Sequence, residues 1–144
     1  MLMSPPSTIE ILNRLLVLHV RSLPMYLNYA PPYQLGRMPQ AKAVLDQIVE
    51  DQQRTIDRLG TLILDHNGTV DNGEFPMSFT SLHDLSLPYL LTLLIERQEK
   101  TIAACENLAD KLNTAPYAQA AAREAVGQAK GHLENLRELQ AGLN

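Results

Sequence analysis

The chain has 144 residues, a formal net charge of −4, no Trp and a single Cys. This length suits one domain, residues 1–144, whose core needs no covalent or metal staple. The acidic balance without a basic stripe argues against nucleic acid as a partner, and a lone Cys105 excludes an internal disulfide. No apolar run approaches about 18 residues and the first residues do not resemble a signal peptide, so we expect a cytoplasmic protein with no membrane partner.

The first predicted helix opens at the capping-box pattern Ser7–Glu10 and continues to about Ala30. Pro24 is expected to kink this helix, because proline lacks the backbone donor and crowds the preceding turn. Pro31 and Pro32 then end it.

Three more helices are predicted after this point. The second extends over about 40–66 and ends at an Asn-Gly pair, and a loop with Asn, Gly and Pro residues follows over 67–80. The third covers about 81–112, with Pro88 expected to split off a short first segment. The fourth covers about 116–143, and no strand pattern occurs, so the predicted fold class is all-α.

Loop lengths predict how the helices connect. Short links make the first and second helices, and the third and fourth, antiparallel neighbours. The loop over 67–80 can span about 46 Å, whereas the second helix is about 39 Å long. We therefore predict an antiparallel four-helix bundle with a long crossover between its second and third helices.

One tract of the chain is repeated. Residues 49–56 (VEDQQRTI) reappear as residues 95–102 (IERQEKTI), and in each copy a Gln falls where helical periodicity demands an apolar core residue. His19 and His132 interrupt the apolar stripes of the first and fourth helices in the same way. The four polar core residues (His19, Gln52, Gln98 and His132) each lie near the middle of a helix, so we expect them to share one layer.

Two interpretations of this layer remain open. Neutral His and the Gln amide each offer donors and acceptors, so His–Gln pairs can satisfy one another in a structural network that fixes helix pairing. Alternatively, His19 and His132 bind a transition metal such as iron, because His is its commonest ligand and mid-bundle cores hold such sites.

These features resemble the ferritin-like superfamily: four helices, a crossover as long as the bundle, and polar residues at mid-core. A capped turn near 81–87 is similar to that of the starvation-type mini-ferritins. The resemblance implies iron chemistry, in which Glu on two helices and Glu-x-x-His on the other two hold a di-iron centre. This chain has no Glu-x-x-His, and it has Gln52 and Gln98 where Glu is expected. Glu50 and Glu96 are predicted to point away from the core.

The middle of the first helix is apolar on nearly all sides, over residues 15–20 around His19. A second apolar face must be covered, which predicts a homodimer with the first helix at the contact. No catalytic motif is present, so we expect a non-enzymatic structural or interaction protein. The alternative is a metal storage or oxidoreductase protein that uses His19 and His132.

Overall fold

The computed structural model describes residues 6–82 and 85–143, with Ser81 described by its backbone only, and this part of the chain is all-helical. The described residues contain no strand, as the sequence predicts. The helices are α1 (Thr8–Val20), α2 (Leu23–Tyr29), α3 (Tyr33–Gly36), α4 (Pro39–Asp65), α5 (Leu87–Asp110) and α6 (Pro116–Gly142), with a 3₁₀ helix at Met77–Ser81.

The predicted first helix is wrong as one element, since it is divided into α1 and α2. The Ser22 hydroxyl accepts a hydrogen bond from the Met25 amide at 3.2 Å and so caps a new helix. Pro24 then occupies the first turn of α2, the one place where proline needs no helical donor. The α1 helix begins as predicted, because the Ser7 hydroxyl accepts from the Glu10 amide at 3.1 Å.

The predicted start of the third helix near Ser81 is also wrong. Only a 3₁₀ turn ends there, and α5 begins six residues later at Leu87. Ser86 caps α5 and Pro88 stands in its first turn, where its missing N–H costs nothing. The predicted limits of α4 and α6 are confirmed to within a residue or two, and Asn67 ends α4 in a left-handed conformation with φ of 61°.

Side-chain pairs fix the direction of α6 against two neighbours. Toward α4, the pairs are Arg58–Glu124, Thr55–Gln128 and Asp51–His132. Toward α5, they are Arg123–Asp110, Lys130–Glu106, Arg137–Glu99 and Gln140–Thr92. In both sets one residue number rises as the other falls, so α6 runs antiparallel to α4 and to α5. The α1 helix packs mainly on α4.

The crossover between α4 and α5 lies along α1. The Asn13 side chain donates to Thr69 O at 3.0 Å and accepts from the Asp71 amide at 2.8 Å, as a second backbone strand would. Further along, Gly73 has a φ of +66° and a Cβ there would lie 2.9 Å from a methyl group of Val17. Only glycine fits this close, left-handed approach. The crossover is thus held against the outer face of α1.

The buried apolar residues form two clusters. One contains residues of α2, the first half of α4, α5 up to Ile102 and the second half of α6, and the other contains residues of α1, the second half of α4, the end of α5 and the first half of α6. Along α4, Ile48 belongs to the first cluster and Leu59 to the second, and the buried Gln52 and Thr55 fall between them. Polar side chains therefore mark the boundary between the clusters on this helix.

Candidate functional site

The four polar core residues are all buried, which confirms the helix faces assigned from periodicity. The hydrogen bonds they make within the described part of the chain do not join any two of them. Each instead has a different partner, so the expected His–Gln pairs are absent there.

His19 is bound to its own helix. Its Nδ1 lies 2.8 Å from the Leu15 carbonyl oxygen, and because a carbonyl only accepts, Nδ1 carries the proton. The other ring nitrogen, Nε2, therefore carries the lone pair. Burial lowers the pKa of His19, and the Leu15 hydrogen bond opposes this effect without cancelling it. His19 is consequently a neutral imidazole at pH 7.

Gln52 joins α4 to the break between α1 and α2. The Ser22 hydroxyl donates to Gln52 Oε1 at 2.7 Å while its oxygen caps α2. One serine thus both begins a helix and ties that point to the centre of α4. The bond explains why a polar side chain is tolerated at this core position, since a buried polar group without a partner would destabilise the fold.

Gln98 is the equivalent residue in the second copy of the repeat, and its amide donates a hydrogen bond where that of Gln52 accepts one. Its Nε2 donates to the Ala129 carbonyl oxygen at 3.1 Å. That carbonyl lies inside α6, so the bond joins α5 to α6 in addition to the helical hydrogen bonds. Gln52 acts as an acceptor and Gln98 as a donor, so the two copies are not equivalent in the fold.

His132 is paired with a residue that the sequence analysis did not single out. Its Nε2 lies 2.9 Å from Asp51 Oδ2, although the contact departs from the N–H direction. Burial lowers the pKa of His132, and the Asp51 carboxylate partly offsets this effect. His132 and Asp51 therefore form a close polar contact between α6 and α4, and the ring is neutral at pH 7.

These contacts limit the chemistry of the four residues. Three of them bind one helix to another, and His19 binds to its own helix. Within residues 6–82 and 85–143, no three His, Cys, Asp or Glu side chains are grouped to hold a metal ion. The proposal that His19 and His132 bind a metal therefore remains a prediction, without a third ligand among the residues described.

The repeated glutamates and the single cysteine also bear on the chemistry of the site. Glu50 and Glu96 are exposed, which confirms that the repeated glutamates point away from the core, and Glu50 pairs with Arg54. Cys105 is a free, fully buried thiol, and burial raises its pKa to about 11. Such a thiol is un-ionised near neutral pH and is a poor nucleophile.

Ser22 and Asp51 are the partners that sequence reasoning missed, and each had a signal. Ser22 stands two residues before Pro24, a common start for a helix. Asp51, Thr55 and Arg58 are spaced by four and three residues, which places them on one stripe of α4, and this stripe faces α6. The polar stripe adjoins the apolar one, and the period of the apolar residues does not indicate which helix the polar stripe faces.

The described helices include none that is long and apolar enough to cross a membrane. In comparisons with protein-family models, with curated proteins and with solved structures, nothing matches this chain.

Proposed function

We propose that this chain is a non-catalytic helical-bundle protein that acts by association with other protein molecules, with its buried polar residues serving the fold. The observation that carries this proposal is that three of the four polar core residues contact other helices. The amide groups of Gln52 and Gln98 make hydrogen bonds between helices, and the Asp51–His132 pair is also a contact between helices. A reactive site would need such groups aimed at a shared space for a substrate.

The topology we infer is an antiparallel four-helix bundle of the ferritin-like type, formed by α1 with α2, α4, α5 and α6. Two observations support it. The α6 helix runs antiparallel to both α4 and α5, which makes α4 and α5 parallel to each other. The crossover follows α1 from Asn13 to Arg21, as it must in order to bring the chain to the other end of the bundle.

Self-association through α1 is part of the proposal. The surface we propose for the partner is a groove of about 910 Å³ between α1 and α5, which Val17 of α1 and Asp71 of the crossover also line. Glu10 and Arg14 line this groove, and neither forms an ion pair within the described residues. In a twofold contact Glu10 of one copy can meet Arg14 of the other, so the groove is self-complementary in charge.

Light scattering after size-exclusion chromatography tests this contact. We expect a dimer at micromolar concentration, and we expect Ala103→Glu, at an exposed position lining the groove, to give a monomer. Ala43→Glu is the matched control, since Ala43 is an exposed alanine on α4. A wild-type monomer, or equal behaviour of the two variants, would contradict the dimer.

One observation favours the alternative, a metal storage or oxidoreductase protein that uses His19 and His132. The lowered pKa of each ring keeps it neutral, and neutral imidazole is the form that ligates transition metals. Elemental analysis after reconstitution with iron, zinc, manganese and copper separates the two functions. The structural proposal predicts substoichiometric metal and an unchanged melting temperature. Stoichiometric metal that is lost in a His19→Gln, His132→Gln variant would establish the alternative.

The cellular location we propose is the cytoplasm. Cys105 is free and buried, and a free thiol suits a reducing compartment.

A further inference from the structure

The aromatic residues of this chain are concentrated at one pocket. The sequence has five Tyr, two Phe and no Trp, and four of these seven side chains line a single cavity of about 310 Å³. They come from α2 (Tyr26 and Tyr29) and from the crossover (Phe75 and Phe79). The core elsewhere consists of aliphatic side chains, so this clustering requires a local explanation.

The pocket has a buried floor and an exposed rim. Tyr26 and Phe79 are buried, and the Tyr26 ring centroid lies 5.6 Å from that of Phe79 and 5.7 Å from that of Phe75. Tyr29 is 83% exposed and Phe75 is 41% exposed, although both rings line the cavity. Entry of a flat apolar group between the exposed rings is favourable, because it removes their faces and the apolar floor from water.

A cation stands at the same pocket. Arg21 lines the cavity and donates from Nε to the Asn72 carbonyl oxygen at 2.9 Å, which fixes the plane of the guanidinium. The N–H groups on Nη1 and Nη2 remain, and no carboxylate among the described residues forms an ion pair with Arg21. A planar guanidinium held in this way suits a carboxylate, which it can bind through two parallel hydrogen bonds.

From this arrangement we propose that the pocket binds a small planar aromatic carboxylate. The aromatic part enters between the exposed rings of Tyr29 and Phe75 and packs on the buried floor of Tyr26 and Phe79, and the carboxylate pairs with Arg21. The cavity is at the lower end of the range of about 300–1,000 Å³ for small-molecule sites, so one ring or two fused rings fit. Aromatic rings alone also attract quaternary ammonium ions, but the positive charge of Arg21 repels them.

The test uses benzoate and 2-naphthoate as probes on the full chain, with saturation-transfer NMR and calorimetry. We expect a Kd below about 1 mM for 2-naphthoate, tighter than for benzoate because the second ring buries more apolar area. Cyclohexanecarboxylate, which has the charge without the flat ring, binds more weakly, and phenyltrimethylammonium does not bind.

Variants assign the binding to this pocket. Arg21→Gln should weaken 2-naphthoate binding by about tenfold or more. Arg37→Gln should not change it, since Arg37 follows α3 as Arg21 follows α1 and is exposed outside the pocket. Tyr29→Ala should also weaken binding, and Tyr117→Ala is its control, since Tyr117 is 82% exposed on α6. If Arg21→Gln does not fold, chemical-shift mapping of the wild type must place the probe beside Tyr26 and Phe79. The proposal is overturned if 2-naphthoate does not bind, if phenyltrimethylammonium binds more tightly, or if Arg21→Gln binds as well as the wild type.

Discussion

Replacing Gln98 by Glu tests whether the two copies of the repeat serve different purposes. Gln98 is 3% exposed and its Nε2 donates to the Ala129 carbonyl oxygen at 3.1 Å. A carboxylate of the same shape has no proton to donate, so two acceptors would face each other in a buried site. At Gln52 the same change is mild, because the Ser22 hydroxyl donates to Oε1 and can donate to a carboxylate equally well.

The magnitude follows from pKa linkage. The buried carboxyl of Gln98→Glu is expected to have its pKa raised in the fold above its unfolded value of about 4.3, since the neutral acid can still donate to Ala129. A raised pKa keeps full stability below about pH 4.3 and loses about 1.4 kcal/mol for each pH unit up to the folded pKa. The loss at pH 8 is therefore about 3–5 kcal/mol, whereas Gln52→Glu should lose about 1–2 kcal/mol.

Urea unfolding followed by circular dichroism at pH 4.5, 6 and 8 measures these differences, with wild type and variant compared at each pH. Gln98→Met is the control for loss of the hydrogen bond alone, and because Ala129 keeps its helical bond it should cost only about 1 kcal/mol. Equal losses for the two glutamate variants at pH 8, or a Gln98→Glu loss that does not change with pH, would refute the reasoning.

Three further predictions concern the crossover, its turn and the histidines. Asn13→Leu removes two hydrogen bonds to the crossover and should cost about 1–3 kcal/mol, with faster amide exchange over residues 69–73 but unchanged exchange in α6. Gly73→Ala should destabilise by about 1–3 kcal/mol in urea unfolding, whereas Gly60→Ala, in open space on α4, should stabilise by about 0.5–1 kcal/mol; the reverse order would contradict the close approach. The pKa values of His19 and His132 are lowered in the fold, so the unfolded chain binds more protons. The free energy of unfolding should therefore fall as pH drops below about 6.5, by up to about 1.4 kcal/mol per pH unit for each ring. A variant with both residues changed to Gln should lose this pH dependence of the free energy of unfolding.

The helical class and the limits of α4 and α6 could be predicted from the sequence because they depend on local signals. Periodicity, caps and helix-stopping residues act within a few positions of one another. The outward direction of Glu50 and Glu96 and the burial of Gln52 and Gln98 follow from the same helical period. Local signals can also mislead: Pro24 predicts a kink and Pro88 a split within a helix, whereas each stands in the first turn of a new helix.

The partners of the polar core residues could not be predicted, because they depend on how neighbouring helices are rotated and shifted. Asp51 is adjacent to Gln52, and a change of 100° in direction separates a side chain facing α6 from one facing α2. The contact of Asn13 with the crossover joins residues more than 50 positions apart, and nothing in a single Asn marks it. The aromatic pocket arises in the same way, from α2 and a loop about 50 residues later.

Equivalent residues in the two copies of the repeat make different contacts. Both copies place Gln at a core position, yet Gln52 accepts a hydrogen bond from Ser22 and Gln98 donates one to Ala129. Asp51, which pairs with His132, corresponds in the second copy to Arg97, which lies 5.1 Å from the ring centroid of Phe79. Because both the Gln and its preceding neighbour differ in their contacts, the repeat preserves the buried and exposed faces of two helices, and the interactions at those faces have diverged.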